Sequence, residues 1–352
     1  MKKYYKLLII FCLLPFLGFS NGENFISKQK SIKKTYIVNS NAGIDIDNKY
    51  GNITVSTWDE DKIDLDIIIK VTGNNENWVN EKLNTIDVDI TALKSMVTAI
   101  TNIRTSSLKS KGSSNSFEIN YVIKIPKKGT VKINNKYGNI NALSLESTTD
   151  ITCKYGKVIL GKLNSSNNRI EMGYCQNSSI DYIKNGVIEA RYSNLKINDC
   201  GNLNLNSNYT DVTIMEGQNI NYDCNYGTFK FQKINSLNGS GNYLTISVNE
   251  ISDNLNIDAN YSKINVDNLN DKSKNVSINT GYTNIAIGYN LNYAFDFDIN
   301  TKYANIKSDG NLEISVNETK NNAKKISGYY KKKGQNKVTV NSNYGNVILI
   351  RK

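Results

Sequence analysis

The sequence predicts an all-β fold, a single-stranded parallel β-helix (β-solenoid) with coils of about 17–21 residues and a small N-terminal capping insertion containing a short helix. Three observations predict it. The word NKYGNI occurs at Asn48–Ile53 and again at Asn135–Ile140, and returns as NYGNV at Asn343–Val347. A tyrosine recurs every seventeen to twenty-one residues from Tyr137 to Tyr303. Apolar residues alternate with polar ones on both sides of each tyrosine, which is the period of a strand.

The elements follow in order. Lys2, Lys3 and Lys6 precede an apolar run over residues 7–19, and Gly18-Phe19-Ser20 supplies small residues before Asn21. That pattern predicts a signal peptide over residues 1–20, cleaved between Ser20 and Asn21. The run falls short of the ~20 residues that span a bilayer, and no second apolar segment follows, so no transmembrane anchor is expected. Cys12 lies inside the run rather than ending it, unlike a lipid-modified cysteine. The expected location is therefore periplasmic, outer surface or extracellular.

Residues 21–130 have the texture of an N-terminal strand and cap region. Ile63, Leu65, Ile67, Ile69 and Val71 alternate in one long strand, and Phe117, Ile119, Tyr121, Ile123 and Ile125 in another. Trp78, Val79, Leu83 and Ile86 share one face of a helix over 77–86, and residues 106–116 form a Ser/Lys/Gly loop. The region is expected to cover the first open edge of the stack. The solenoid repeats occupy 131–317. A polar, Lys-rich loop over 318–337 then interrupts them, and 338–352 is the final coil. Its strand, residues 347–350, is expected to lie at an edge that is shielded by that loop or open to a partner.

Aligned on Tyr50, Tyr137, Tyr155, Tyr174, Tyr192, Tyr209, Tyr226, Tyr243, Tyr261, Tyr282, Tyr303 and Tyr344, the repeats share an apolar residue four before, except in the Tyr243 unit, and three after. Only the Tyr174 unit, MGYCQNSSI, breaks the pattern after its tyrosine. Parity slips by one at the tyrosine, so the chain must bend there to keep its apolar face inward. Gly51, Gly138, Gly156, Gly227 and Gly345, followed by Asn52, Asn139 and Asn346, are expected to take the left-handed angles of that bend. So short a unit cannot bury its own apolar face and becomes stable by stacking. At ~4.8 Å per coil the regular section would be ~45–50 Å long. Its crossovers are expected to be right-handed. Two prolines in the whole chain, Pro15 and Pro126, suit unbroken ladders.

Taken together, the signal peptide, the NKYGNI corner, the long alternating strand, the short helix, the strand ending Ile125-Pro126 and the second NKYGNI resemble the "putative adhesin" family of bacterial exported proteins. That family is a domain of unknown function related to adhesin head domains with Gly-Ile-Asn signatures. The resemblance covers nearly the whole chain beyond residue 20. It implies a β-helix at the surface or in the periplasm and supplies no catalytic residues.

Composition narrows the chemistry. The chain carries +11, or about +8 without the three signal lysines, which favours anionic partners. Export makes polysaccharide or another envelope component the expected one and nucleic acid the least expected. Histidine is absent, which excludes Ser-His-Asp and Cys-His nucleophile arrangements. Cys153, Cys175, Cys200 and Cys224 show no C-x-x-C spacing, and Cys153 and Cys224 lie several coils apart, ~19 Å, beyond disulfide reach. Asp45, Asp47, Asp223 and Asp258 face outward without the converging oxygens calcium needs. No metal or cofactor is expected.

The tyrosine column reads by parity as an internal structural ladder, its hydroxyls reaching the corners; the alternative is an exposed strip for stacking sugar rings. Glu171 and Glu189, with Arg169 and Arg191 nearby, would lie ~5 Å apart, the separation of a retaining glycosidase pair, or form a plain surface ion cluster. Outward Asn206, Asn279, Asn300 and Asn341 could hydrogen-bond a polysaccharide or merely be solvated. The leading expectation is a non-enzymatic, adhesin-like protein presenting a polar face to cell-surface or matrix polysaccharide. A self-assembling envelope protein pairing through an open C-terminal edge, and a carbohydrate-active enzyme on a β-helix, are the alternatives.

Overall fold

A computed structural model describes residues 25–105 and 115–352. The expected signal peptide, its Ser20–Asn21 junction and most of the 106–116 loop lie outside the described residues. The described residues are all-β, with twenty-five strands in one long sheet that does not close, and one short helix, Glu76–Thr85. That helix is neither long nor apolar enough to cross a membrane.

Successive repeats pair in parallel and in register. Ile46 pairs with Ile133, Ile133 with Ile151, Ile151 with Ile170, Ile170 with Ile188, and Ile188 with Leu205. Beyond the corner, Ile53 pairs with Ile140, Ile140 with Val158, and Leu195 with Val212. All of these side chains are buried. A third buried row, Leu145, Leu163, Cys200, Ile234, Ile251 and Leu269, lies eight residues past each tyrosine. Large and small residues compensate within a column. A Cβ on Gly239 would come 1.9 Å from the buried ring of Tyr222, the bulky occupant of that column one coil before.

The corners differ from the expectation in a specific way. The left-handed residue is the tyrosine, with φ between 51° and 62° at all twelve positions, and none of the corner glycines has a positive φ. Glycine follows the tyrosine for lack of space: a Cβ on Gly138 would sit 1.8 Å from the carbonyl oxygen of Gly51 one coil away. The asparagine that comes next replaces a missing ladder contact, since Asn52 Oδ1 accepts from the backbone N–H of Asn139 at 3.0 Å. The asparagine two before the tyrosine also acts between coils, as Asn135 Nδ2 donates to the Gly51 carbonyl at 2.9 Å. Where glycine is replaced, a hydroxyl does similar work: Ser193 Oγ accepts from Cys175 N at 3.1 Å and donates to the Arg191 carbonyl at 2.8 Å. The Tyr174 unit is one residue longer at its corner. Asn177 absorbs the extra residue at φ 54°, and Ser178 then takes the apolar place, pairing with Leu195.

Both ends depart from sequence order. At the N-terminal end, Met96–Ile103 and Ser116–Pro126 pair in parallel outside Gly43–Lys49 and Ile53–Trp58, adding a coil in front of the first corner. Lys62–Gly73 and Ile26–Ile37 extend it antiparallel, and the helix Glu76–Thr85 packs on both. At the C-terminal end, the last coil is not an open edge. Asn336–Asn343 lies between Val276–Gly281 and Phe295–Lys302, paired in parallel with both, and Val347–Arg351 likewise lies between Asn284–Tyr289 and Ile306–Ser308. Assembly through that strand is therefore closed off. Residues 318–337 are not simply a loop: Glu313–Lys320 and Ala323–Tyr330 form an antiparallel hairpin on Phe295–Lys302, with Ile326 and Tyr330 buried. Tyr330 packs edge-on against Tyr289 at 5.0 Å, burial that the Lys-rich composition conceals.

Two predictions follow from this packing. Gly138→Ala should overpack the corner and cost on the order of 1–3 kcal/mol, read as a lower thermal midpoint by circular dichroism. Burial pushes the Tyr121 hydroxyl up to about 12, against a smaller opposing hydrogen bond with Thr101 at 2.6 Å. The folded state thus favours the neutral phenol. Its contribution is complete below the ordinary tyrosine range near ~10, and is lost as pH rises through about 12. Tyr121→Phe should flatten the alkaline decline of stability across that window.

Candidate functional site: the tyrosine column and its flanks

A left-handed residue between two strands sends its side chain to the side opposite the one that alternation predicts. The corner tyrosines therefore point outward, next to the outward residue before them. Each is 40–52% exposed, which corrects the expectation of an internal ladder. The rings form one continuous stack in the order 50, 137, 155, 174, 192, 209, 226, 243, 261, 282, 344, 303, with centroids 4.6–5.2 Å apart and planes within 3–16°. Phe117 closes one end at 5.0 Å from Tyr50, and Lys82 lies 4.2 Å from the Phe117 centroid.

This geometry limits what the column can bind. Both faces of every interior ring are covered by its neighbours, so a sugar cannot stack face-on along the strip. The edges and hydroxyls remain exposed. Among the described residues these hydroxyls have no hydrogen-bond partner, so they do not reach the corners as expected. The result is a comb of phenols at the spacing of the strands.

Beside the comb run two outward columns. The residue immediately before the tyrosine is Lys49, Lys136, Lys154, Gly173 and Arg191 in five successive coils, each directly paired with the next. The same place is Asn208, Asn225, Asn242 and Asn260 in the following four. Lys136 Nζ lies 4.8 Å from the Tyr137 ring centroid and 5.8 Å from that of Tyr155. Farther from the tyrosines, asparagine amides form a chain: Asn221 donates to Asn204 at 3.1 Å, Asn238 to Asn221 at 3.2 Å and Asn256 to Asn238 at 2.7 Å.

Glu171 and Glu189 are direct partners on adjacent coils, as the register predicts. Arg169 Nη2 donates to Glu171 Oε2 and to Glu189 Oε1, both at 3.2 Å, and Nη1 lies 3.5 Å from Asp150 Oδ1. The hydrogen bond to Glu171, joined by the charges of Glu189 and Asp150, raises the guanidinium above its ordinary range. One arginine thus ties both carboxylates together in a surface ion cluster. Beside them is a depression of about 340 Å³, lined by these glutamates, Lys154, Gly173, Arg191 and the edges of Tyr155, Tyr174 and Tyr192. The sequence reading found the glutamates but missed this hollow. Its signal was present, as a glycine interrupting a cationic column.

The remaining candidates stay apart. Asp45 pairs with Lys132 at 3.0 Å, and among the described residues no three His, Cys, Asp or Glu side chains gather as a metal site. All four described cysteines are buried free thiols. A hydrogen bond with Cys175 and burial push the Cys153 thiol up.

No family model and no curated protein matches this chain. Solved structures are similar over most of its length. A "putative cell adhesion protein" from Clostridium sporogenes shares 13% identity, covers 92% of this chain and 100% of that one, with a TM-score of 0.17. A "putative adhesin" from Parabacteroides merdae shares 10%, covers 91% and 96%, with a TM-score of 0.36. Another from Bacteroides fragilis shares 12%, covers 92% and 97%, with a TM-score of 0.23.

The stack itself generates a prediction. Tyr209→Ala removes two ring contacts, worth ~0.5–1.5 kcal/mol each, and should lower the melting temperature by a few degrees. Tyr209→Phe keeps the stack and discards an unpartnered hydroxyl, so its melting curve should overlay the parent's.

Proposed function

We propose that this chain is an exported, non-enzymatic, adhesin-like protein that lays a long polar face of a parallel β-solenoid against cell-surface or matrix polysaccharide. The observation that carries this reading is the periodic outward face, where phenol hydroxyls and asparagine amides repeat once per coil. In the amide chain each side chain donates one N–H to its neighbour and keeps a second donor for a ligand. A polymer of repeating hydroxyls is the ligand that matches such a face, because it can meet many equivalent sites at once. Bridging of Glu171 and Glu189 by Arg169 supports binding rather than glycosidic cleavage.

A glycan array probed with the chain from Asn21 onward tests the reading. Retention on a polysaccharide is expected, and silence across the array would end the proposal. The same polysaccharide incubated with protein should release no reducing ends, and Glu171→Gln or Glu189→Gln should change nothing. Release that disappears in those variants would establish the enzyme instead.

A further inference from the structure

We propose that the hollow at Gly173, within the cationic column of the first five coils, is a subsite for an anionic sugar unit, one bearing a carboxylate or a sulfate. The inference rests on the polysaccharide reading and narrows it to a ligand class.

The first support is electrostatic. Lys49 pairs directly with Lys136, and Lys136 with Lys154, so like charges lie on adjacent strands at ~4.8 Å spacing, a destabilising arrangement. The fold does not require them, since asparagine occupies the same place in the next four coils. Nor are they neutralised. Lys154 reaches Glu171 at 3.7 Å, but among the described residues Lys49, Lys136 and Arg191 have no carboxylate within ion-pair distance. Lys154 is partly compensated by Glu171 and Lys136 by the Tyr137 and Tyr155 rings, and an anionic ligand accounts for the cationic surplus that remains at Lys49 and Arg191.

The second support is steric and independent. Gly138 is glycine because backbone crowds it, whereas a Cβ on Gly173 would meet only Lys154 Cγ, at 3.7 Å. A side chain would fit there, so the fold alone does not call for glycine. Its effect is to open the hollow of about 340 Å³ between Lys154 and Arg191, within the ~300–1,000 Å³ of ligand-sized sites. Its chemistry is that of an acidic sugar. The planar fork of Arg191 suits bidentate contact with a carboxylate or sulfate. The oxygens of Glu171 and Glu189, held by Arg169, accept from sugar hydroxyls, and phenol hydroxyls close the remaining side.

The test uses the chain from Asn21 onward at physiological ionic strength, with labelled oligogalacturonate as the carboxylate probe and a sulfated oligosaccharide as the sulfate probe. A neutral galactose oligomer and a single-stranded oligonucleotide are the controls. At least one anionic glycan should bind, and the neutral oligomer should bind about tenfold more weakly or worse. Gly173→Lys, which restores the side chain carried by the preceding coils, and Arg191→Asn should each weaken that binding by about tenfold or more. Arg191→Asn should melt at or above the parent's temperature. Gly173→Lys, which adds a like charge between Lys154 and Arg191, should melt no more than a few degrees below it. Lys34→Asn, at an exposed cation on the N-terminal edge strand away from this column, should leave affinity unchanged. The subsite is refuted if neutral and anionic glycans bind alike, if the oligonucleotide binds as tightly, or if both variants retain full affinity. Glycan binding that ignores these substitutions sinks the subsite and spares the polysaccharide reading; no glycan binding at all sinks both.

Discussion

The structure depends on a tyrosine held in the left-handed region at every corner. That conformation costs an L-residue roughly 1–2 kcal/mol, and here it is adopted twelve times. Glycine or asparagine would adopt it more cheaply, so something specific to tyrosine offsets the cost. Ring stacking at ~0.5–1.5 kcal/mol per contact is of the right size, because an interior ring in the column has two neighbours. The strain also does structural work. It places two consecutive side chains outward and so returns the following strand to register with its apolar face inward. Once the tyrosine turns, the residue after it meets the neighbouring repeat's backbone and is glycine or another small residue at every corner but Tyr243, where Leu244 is buried instead. The next residue, where it is asparagine or aspartate, can supply an oxygen for the turned-away N–H. The repeated word NKYGN is this set of constraints in order: inter-coil cap, outward charge, left-handed turn, close approach, surrogate acceptor.

Repeats paired in parallel leave unpaired strand edges at both ends of the sheet, and both ends handle this by departing from sequence order. The N-terminal insertion adds a coil in front of the first corner, and Phe117 seats on Tyr50 where another tyrosine would have continued the stack. The C-terminal coil pushes in between two earlier coils, which gives the chain end ladder partners on both sides. The edge strands that remain among the described residues are Ile26–Ile37, which carries Lys28, Lys30, Lys33 and Lys34, the short Ile86–Ala92 and Ile306–Ser308, and Glu313–Lys320, which is exposed along almost all of its length. Lysines along an edge discourage further strand addition.

How much of this was legible follows from the reach of each signal. Period-two alternation and the tyrosine spacing are local, and they placed the strands, the inter-coil register and the Glu171–Glu189 pairing. Ring direction was lost because parity was carried across a bend, where one left-handed residue reverses it. The order of the last coils was lost for a different reason: the coils around Tyr303 and Tyr344 have equivalent flanks, so no local pattern says which sits inside the other. The hairpin at 313–330 was hidden by its lysines, since Ile326 and Tyr330 are few against a charged background. Gly173 was legible in principle, but reading it required comparing one outward column across coils rather than along the chain.

That comparison separates what the fold needs from what it carries in surplus. Inward columns are constrained by volume, as the pairing of Tyr222 with Gly239 shows, and corner positions by hydrogen bonding. The outward column before the tyrosine is constrained less by volume, because lysine, arginine, asparagine and glycine all occur there on the same backbone, although its asparagines hydrogen-bond one another. Where packing is indifferent, a contiguous block of one charge is not explained by packing, and directly paired like charges work against stability. The cationic block occupies the first five coils, beside the tied glutamates and the hollow, and ends where the asparagines begin. Charge, vacancy and exposed phenols thus coincide on one stretch of this face. Their coincidence, more than any single residue, is what the proposed subsite rests on.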